Sequence, residues 1–332
     1  MRPALLNPGA LILLLALAVP AFAQNPGSQP PHASSAKTDH RGGFDAARAF
    51  NHVKALCEMG PHPSGSEAIK RVQDYLEKEL QTDGLKVSED SFIGQTPKGA
   101  VPMKNIIGEL PGEKPEVILI TGHYDTKRQP GFVGANDGGS SAATVLEMAR
   151  ALSKTKPTYT LWFVLFDGEE AVVDWGAMNG MDNTYGSRHL VAKLRNDGTL
   201  NHVRAMLLVD MIGDKDLNIK REGGSTSWLT DVIWDAAWKA GYAKNFLRQE
   251  QDISDDHLPF LDAGIPSVDL IDFDYGPNHS YWHTNQDTLD KISGASMKAV
   301  GDTLLQALPE IFKRLSAMPP RSKSSVPAGV QH

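Results

Sequence analysis

The 332-residue chain has a single cysteine, Cys57, so it can form no disulfide within itself. A lone thiol in an amphipathic stretch reads as a small buried hydrophobe on a helix rather than as a reactive group. There is no cluster of lysine and arginine, and 33 such residues stand against 40 Asp and Glu, a formal charge of −7. That balance argues against nucleic acid and an anionic membrane as partners and suits a neutral or cationic small substrate. No apolar run is long enough to span a bilayer, Ala10–Val19 (ALILLLALAV) included. Internal repeats are absent too.

What is present at the start is Arg2, then Ala10–Val19, then the small-residue ending Ala21-Phe22-Ala23. This is the pattern of a secretory signal, so 1–23 is expected to be a signal peptide and the protein to be exported, periplasmic or secreted, with no membrane attachment after cleavage. Residues 24–42 are dominated by Pro, Ser, Gln and Gly, too polar to bury a core, and are expected to be a disordered leader. The stretch 319–332 has the same character and is expected to be a flexible tail. Between them, 43–318 has the length of one α/β enzyme domain, expected as a monomer.

Within that span Tyr159–Ala171 (YTLWFVLFDGEEA) is the organising stretch: a buried apolar strand running straight into Asp167, Glu169 and Glu170. Helical spacing marks 44–59, 67–82, 141–153, 185–195 and 293–315, with Trp228, Trp234 and Trp238 expected as a core stripe on a further helix. Strands are expected at 86–95, 104–110, 117–120, 203–209 and 266–271, with 172–184 a long loop over the crevice. The alternation gives a three-layer α/β/α sandwich with a central, mostly parallel sheet. In such sheets the carboxyl ends of the strands form the ligand crevice.

Strand ends or the loops after them deliver His123, Asp137, Glu170 and Asp210, and a fifth segment brings His283. Two imidazoles and three carboxylates suit zinc, which takes nitrogen and oxygen ligands and leaves a position open for substrate. Asp125, two residues after His123, is spaced to orient that ring. Of two adjacent glutamates, one can bind a metal while its neighbour handles protons.

His123-Tyr124-Asp125-Thr126, Asn136-Asp137-Gly138, Glu169-Glu170, Leu208-Val209-Asp210 and His283-Thr284 followed by Asp287-Thr288 occur in the order found in zinc aminopeptidases of the M28 type, which the folded region resembles over nearly its whole length. Phe166–Ala171, Trp175, Tyr185–Leu190 (YGSRHL), Asp255–Leu261 (DDHLPFL) and Trp282-His283-Thr284 are similar, more specifically, to animal-type glutaminyl cyclases. The resemblance implies one zinc held by Asp137, Glu170 and His283, with Glu169 as proton shuttle. It implies Asp255 and Asp210 around the leaving group, Trp175 and Trp282 as walls, and His257 in support. It also implies N-terminal glutaminyl peptides as substrates and a cis peptide at Asp137-Gly138. The cysteine pair of the animal enzymes is missing, and 272–281 is longer than in their pattern. Two readings stay open beside the cyclase. An M28-type aminopeptidase would carry two zincs, His123 and Asp210 holding the second. A catalytically silent peptide-binding domain would require the loss of a metal ligand or of Glu169, and neither is lost.

Overall fold

Strand and helix alternate as expected over residues 43–321, which are those the computed structural model describes; the segments read as signal peptide (1–23) and leader (24–42), and 322–332 of the tail, lie outside the described residues. The chain enters through α1 (Ala46–Glu58), capped by the Asp45 carboxylate on the Ala47 and Arg48 amides. It continues in α2 (Glu67–Thr82), whose core stripe Ile69, Val72, Leu76 and Leu80 recurs at three- and four-residue steps. β1 (Lys86–Thr96) and β2 (Gly99–Leu110) form an antiparallel hairpin. Then come β3 (Lys114–His123), α3 (Gly139–Leu152), β4 (Tyr159–Phe166), the single turn α4 (Ala177–Gly180), α5 (Tyr185–Asn196) and β5 (Val203–Asp210). The remainder is β6 (Ile219–Glu222), α6 (Ser227–Ala240), β7 (Phe246–Gln251), α7 (His257–Asp262), β8 (Ser267–Ile271) and α8 (Gly294–Ala317).

The central sheet has six strands in the order β1-β2-β4-β3-β5-β8. The pairs β3/β4, β3/β5 and β5/β8 are parallel, and β1/β2 and β2/β4 antiparallel. β4 is thus the seam where the hairpin joins the parallel half, and the parallel half carries the site. One face is covered by α1, α2, α3, α6 and α8 through a core that includes Ile118, Phe163 and Leu207. The other is covered by α5 and α7, through Leu119, Phe166 and Leu208. Adjacent strand residues serve opposite faces, as the two-residue period requires.

Three expectations are corrected. β2 begins at Gly99 rather than Lys104, because pairing continues to Thr96 and Gly99 at the hairpin tip. The two-stranded parallel sheet of β6 and β7 was not expected, since Lys220-Arg221-Glu222 and Arg248–Gln251 are too polar to read as strand. The tryptophan stripe on α6 is incomplete: Trp228 and Trp234 pack against the core, but Trp238 is 71% exposed. The buried face of that helix is Leu229, Ile233, Ala236 and Ala237, and Trp238 shares the outward face with Asp231 and Asp235. Cys57 is half-buried against the core, and burial pushes its thiol pKa up to about 12, as befits an inert position.

Candidate active site

β3, β4 and β5 end side by side and hand acids or an imidazole to the same point. His123 closes β3, Asp210 closes β5, and Glu169 and Glu170 follow β4. Asp137 lies in the turn before α3, where Gly138 has φ 86° and a Cβ there would stand 2.9 Å from the Asp125 carbonyl. Only glycine fits that bend. No peptide bond among the described residues is cis, so the one expected at Asp137-Gly138 is trans. His283 enters from the loop after β8 with φ 52°, and Met211, beside Asp210, has φ 49°. Two non-glycine residues in the left-handed region mark strain held at the site.

Two sets of three ligand atoms converge, each within 4.8 Å: Asp137, Glu170 and His283, and His123, Asp137 and Asp210. In the first, His283 Nε2 stands 3.4 Å from Asp137 Oδ2 and 3.3 Å from Glu170 Oε1. In the second, His123 Nε2 stands 3.3 Å from Asp137 Oδ1 and 3.1 Å from Asp210 Oδ1. Asp137 is common to both. Asp137 Oδ2 and Glu170 Oε1 are buried and accept no hydrogen bond from the described residues. Buried carboxylate oxygens without donors are costly unless a cation satisfies them, so the donor set fits a divalent metal ion.

The surroundings hold these ligands in place. Asp287 accepts from the Asn136 and Asp137 amides (2.8 and 3.0 Å) and from the Tyr275 hydroxyl (2.7 Å), which locks the turn bearing Asp137. Ser141 Oγ donates to Asp210 at 2.8 Å. Asp125 lies 3.6 Å from His123 Nδ1, too far for a hydrogen bond. Its oxygens instead accept from the amides of Glu169 (3.1 Å) and Glu170 (3.4 Å). Asp125 therefore orients the glutamate pair at least as much as the imidazole. Asp167, which the sequence places beside the glutamates, turns the other way: it accepts from Ser64 Oγ at 2.6 Å and from the Lys104 amide at 2.9 Å. His257 is fully buried and does not line the cavity; its ring sits 3.1 Å from Glu222 and 3.8 Å from Asp269.

A cavity of about 570 Å³ opens onto the site. Asp137, Glu169, Asp210, Asp255 and His283 face it, and Trp175 and Trp282 line it. Trp282 stacks on His283, ring centroids 4.0 Å apart and planes within 20°. Asp255 Oδ2 and the Trp175 indole N–H are buried and unpartnered among the described residues. Burial pushes the Glu169 carboxyl well above its usual range; nearby His123 opposes this, and Asp255, Glu170 and Asp210 reinforce it. Asp255 is likewise pushed up by burial and by Asp210 and Asp256. For His123 burial works downward, but Glu169 and Asp210 outweigh it and raise the ring well above its ordinary value. A buried carboxyl with a raised pKa beside a metal site is suited to taking and returning a proton near neutral pH.

The sequence did not mark Ser141 and Tyr275 as supports, and two further residues escaped it. Lys127, 3.4 Å from Glu170 Oε2, faces the cavity. Asp182 organises the loop that carries Trp175. Neither had a motif to mark it, although Asp287 stood within the quoted His283 motif.

Residues 105–308, which include His123, Asp137, Glu170, Asp210 and His283, match Peptidase family M28. A glutaminyl-peptide cyclotransferase of Gloydius blomhoffii is 31% identical over 277 residues, 71% of this chain and 73% of that protein. The crystal structure of an Acidobacteriales bacterium glutaminyl cyclase superposes with a TM-score of 0.78 at 38% identity, covering 88% of this chain and all of the other. That of a leucine aminopeptidase precursor from Bacteroides thetaiotaomicron superposes with a TM-score of 0.71 at 28% identity, covering 80% of this chain and 97% of the other. With that match spanning more than half of its length and holding all five potential ligands, the chain belongs to peptidase family M28.

Proposed function

We propose that the chain is a zinc-dependent glutaminyl cyclase, converting the N-terminal glutamine of peptides or proteins to pyroglutamate with release of ammonia. The observation that carries this reading is Glu169: a buried carboxyl that faces the cavity beside the Asp137, Glu170 and His283 triad without belonging to it. The likeness to proteins named as cyclases supports it.

Asp137, Glu170 and His283 would hold the zinc, which when bound supplies a Lewis acid for the γ-carboxamide oxygen. In the cyclisation the α-amino nitrogen bonds to the γ-carbonyl carbon, and the bond from that carbon to the amide nitrogen breaks. Glu169 accepts the proton the amine gives up and returns it to the departing nitrogen, which leaves as ammonia. Asp255, with its free buried oxygen, and Asp210 accept hydrogen bonds around that nitrogen. Trp175 and Trp282 keep out water, the nucleophile that would turn cyclisation into hydrolysis.

A second reading has its own observation: the His123, Asp137 and Asp210 set is complete, so two ions could be held, as for an aminopeptidase. Incubating the purified protein with a Gln-initiated and a Leu-initiated peptide separates the two. Ammonia and pyroglutamate are expected from the first, with the second intact. Rapid release of leucine beside an unchanged Gln peptide would overturn the cyclase reading in favour of the aminopeptidase. Metal analysis is expected to find about one zinc per chain.

A further inference from the structure

Asp182 does not line the cavity, yet it is fully buried, and it organises the segment between Glu170 and α5. Its Oδ2 accepts from the amides of Val173 (2.7 Å) and Asp174 (3.0 Å); its Oδ1 accepts from the Val172 amide (3.2 Å) and the Tyr185 hydroxyl (2.6 Å). The ends of the segment are tied as well: the Thr184 amide donates to the Glu169 carbonyl at 2.9 Å and the Tyr185 amide to the Gly168 carbonyl at 2.7 Å. Asn183 Nδ2 donates to the Trp175 carbonyl at 3.3 Å, and Arg188 Nη2 to the Met181 carbonyl at 2.7 Å.

This is a closed loop rooted on the catalytic pair, and one carboxylate fills it. Of its apolar residues Val172 is buried, packed with Met103 and Tyr185 at the root of the loop, but Val173, Met178 and Met181 further along are 51%, 45% and 47% exposed. Beyond Val172 the loop is therefore held chiefly by hydrogen bonds, those to Asp182 foremost. The last of the three gathered amides belongs to Asp174, immediately before Trp175, whose ring lines the cavity with its indole N–H buried and without an acceptor among the described residues. Such a donor is tolerated where something that enters the cavity accepts from it.

We propose that Asp182 is a positioning residue of the reaction: by gathering the Val172, Val173 and Asp174 amides it fixes Trp175 against the cavity, beside Glu169. The inference rests on the cyclase reading, in which Trp175 is a wall of the substrate site. Asp182→Asn keeps the size of the side chain but leaves one acceptor oxygen where two served four donors, and turns an N–H₂ group toward backbone amides.

The test is a double-mutant cycle of Asp182→Asn and Trp175→Ala, read with a Gln-initiated peptide. Asp182→Asn is expected to lower kcat/KM by about tenfold, chiefly through KM, with metal content unchanged. In the Trp175→Ala background it should cost little more, because the residue it acts through is gone. Additive losses would overturn the inference. Hydrogen exchange read by mass spectrometry on the same proteins gives an answer independent of activity. Exchange should quicken within 172–184 alone in Asp182→Asn; unchanged exchange there, or lost protection throughout the sheet, would equally overturn it. A wild type that fails to cyclise the Gln peptide would count against the proposed function, while the exchange arm still judges whether Asp182 holds the loop.

Discussion

Glu169 and Glu170 are neighbours in sequence with different surroundings, and the chemistry follows from that difference. Glu170 Oε1 points at His283 Nε2 and Oε2 at the Lys127 ammonium, whereas Glu169 faces the cavity and its nearest imidazole contact is His123 Nδ1 at 3.8 Å. The Asp125 carboxylate, bonded to both amides, sets the two side chains apart. The two should therefore fail differently when neutralised. Glu169→Gln removes the proposed proton acceptor and keeps the shape, so zinc content should stay at the wild-type level while kcat falls by roughly a hundredfold or more. Glu170→Gln replaces the proposed carboxylate ligand with an amide and should lower the zinc content first, with activity recovering in excess zinc. Zinc lost from the first variant and retained by the second would reverse the division of roles.

At the scale of elements, the parallel strands aim the ligands and the helices behind them set how the fold responds to acid. On α1, His52 is 6% exposed and its Nδ1 lies 2.6 Å from the Tyr75 hydroxyl. Burial lowers its pKa to about 4, with the Arg48 charge adding to the shift. Below pH ~6.5 the unfolded chain takes up a proton that the native ring refuses, so stability falls as pH drops toward 4. Between pH 7 and 4.5 this one group should cost about 2 kcal/mol. Asp287, which burial raises to about 7, acts with the opposite sign, so the whole curve says little by itself. Urea midpoints of His52→Gln and wild type at the two pH values isolate the group: the wild type should lose more on acidification, and parallel losses would mean the ring is accessible to protons. Elements whose burial follows a single period were legible in the sequence, with α2 correct at both ends and β4 read through to its acidic exit. What stayed hidden depends on partners remote in sequence. Asp182 looks like any loop acid until the chain turns back on it, β6 and β7 are strands only because they pair, and Trp238 sits four residues after Trp234 but past the edge of the buried face.

For the whole molecule, five potential ligands meet at the carboxyl ends of the parallel strands, and the mutual repulsion of the three carboxylates among them weighs against stability. Asp137, Glu170 and Asp210 are all at least nine-tenths buried, with the imidazoles of His123 and His283 and the Lys127 ammonium beside them. Unpaired carboxylates in a protein interior cost several kcal/mol each, which a divalent cation offsets in the native state alone. A ligand that binds only the folded chain stabilises it by RT ln(1 + [L]/Kd), about 4 kcal/mol when present at a thousand times its Kd. Removing the metal with a chelator should therefore lower the melting temperature of the wild type by roughly 5 to 10 °C, and added zinc should restore it. In Glu170→Gln the same treatment should do much less, since that variant holds its metal weakly and already lacks one of the repelling charges. Calorimetry of both proteins, with and without chelator, decides the matter. A wild type that melts at the same temperature in both conditions would mean that Asp137, Glu170 and His283 do not hold a metal strongly enough to support the fold.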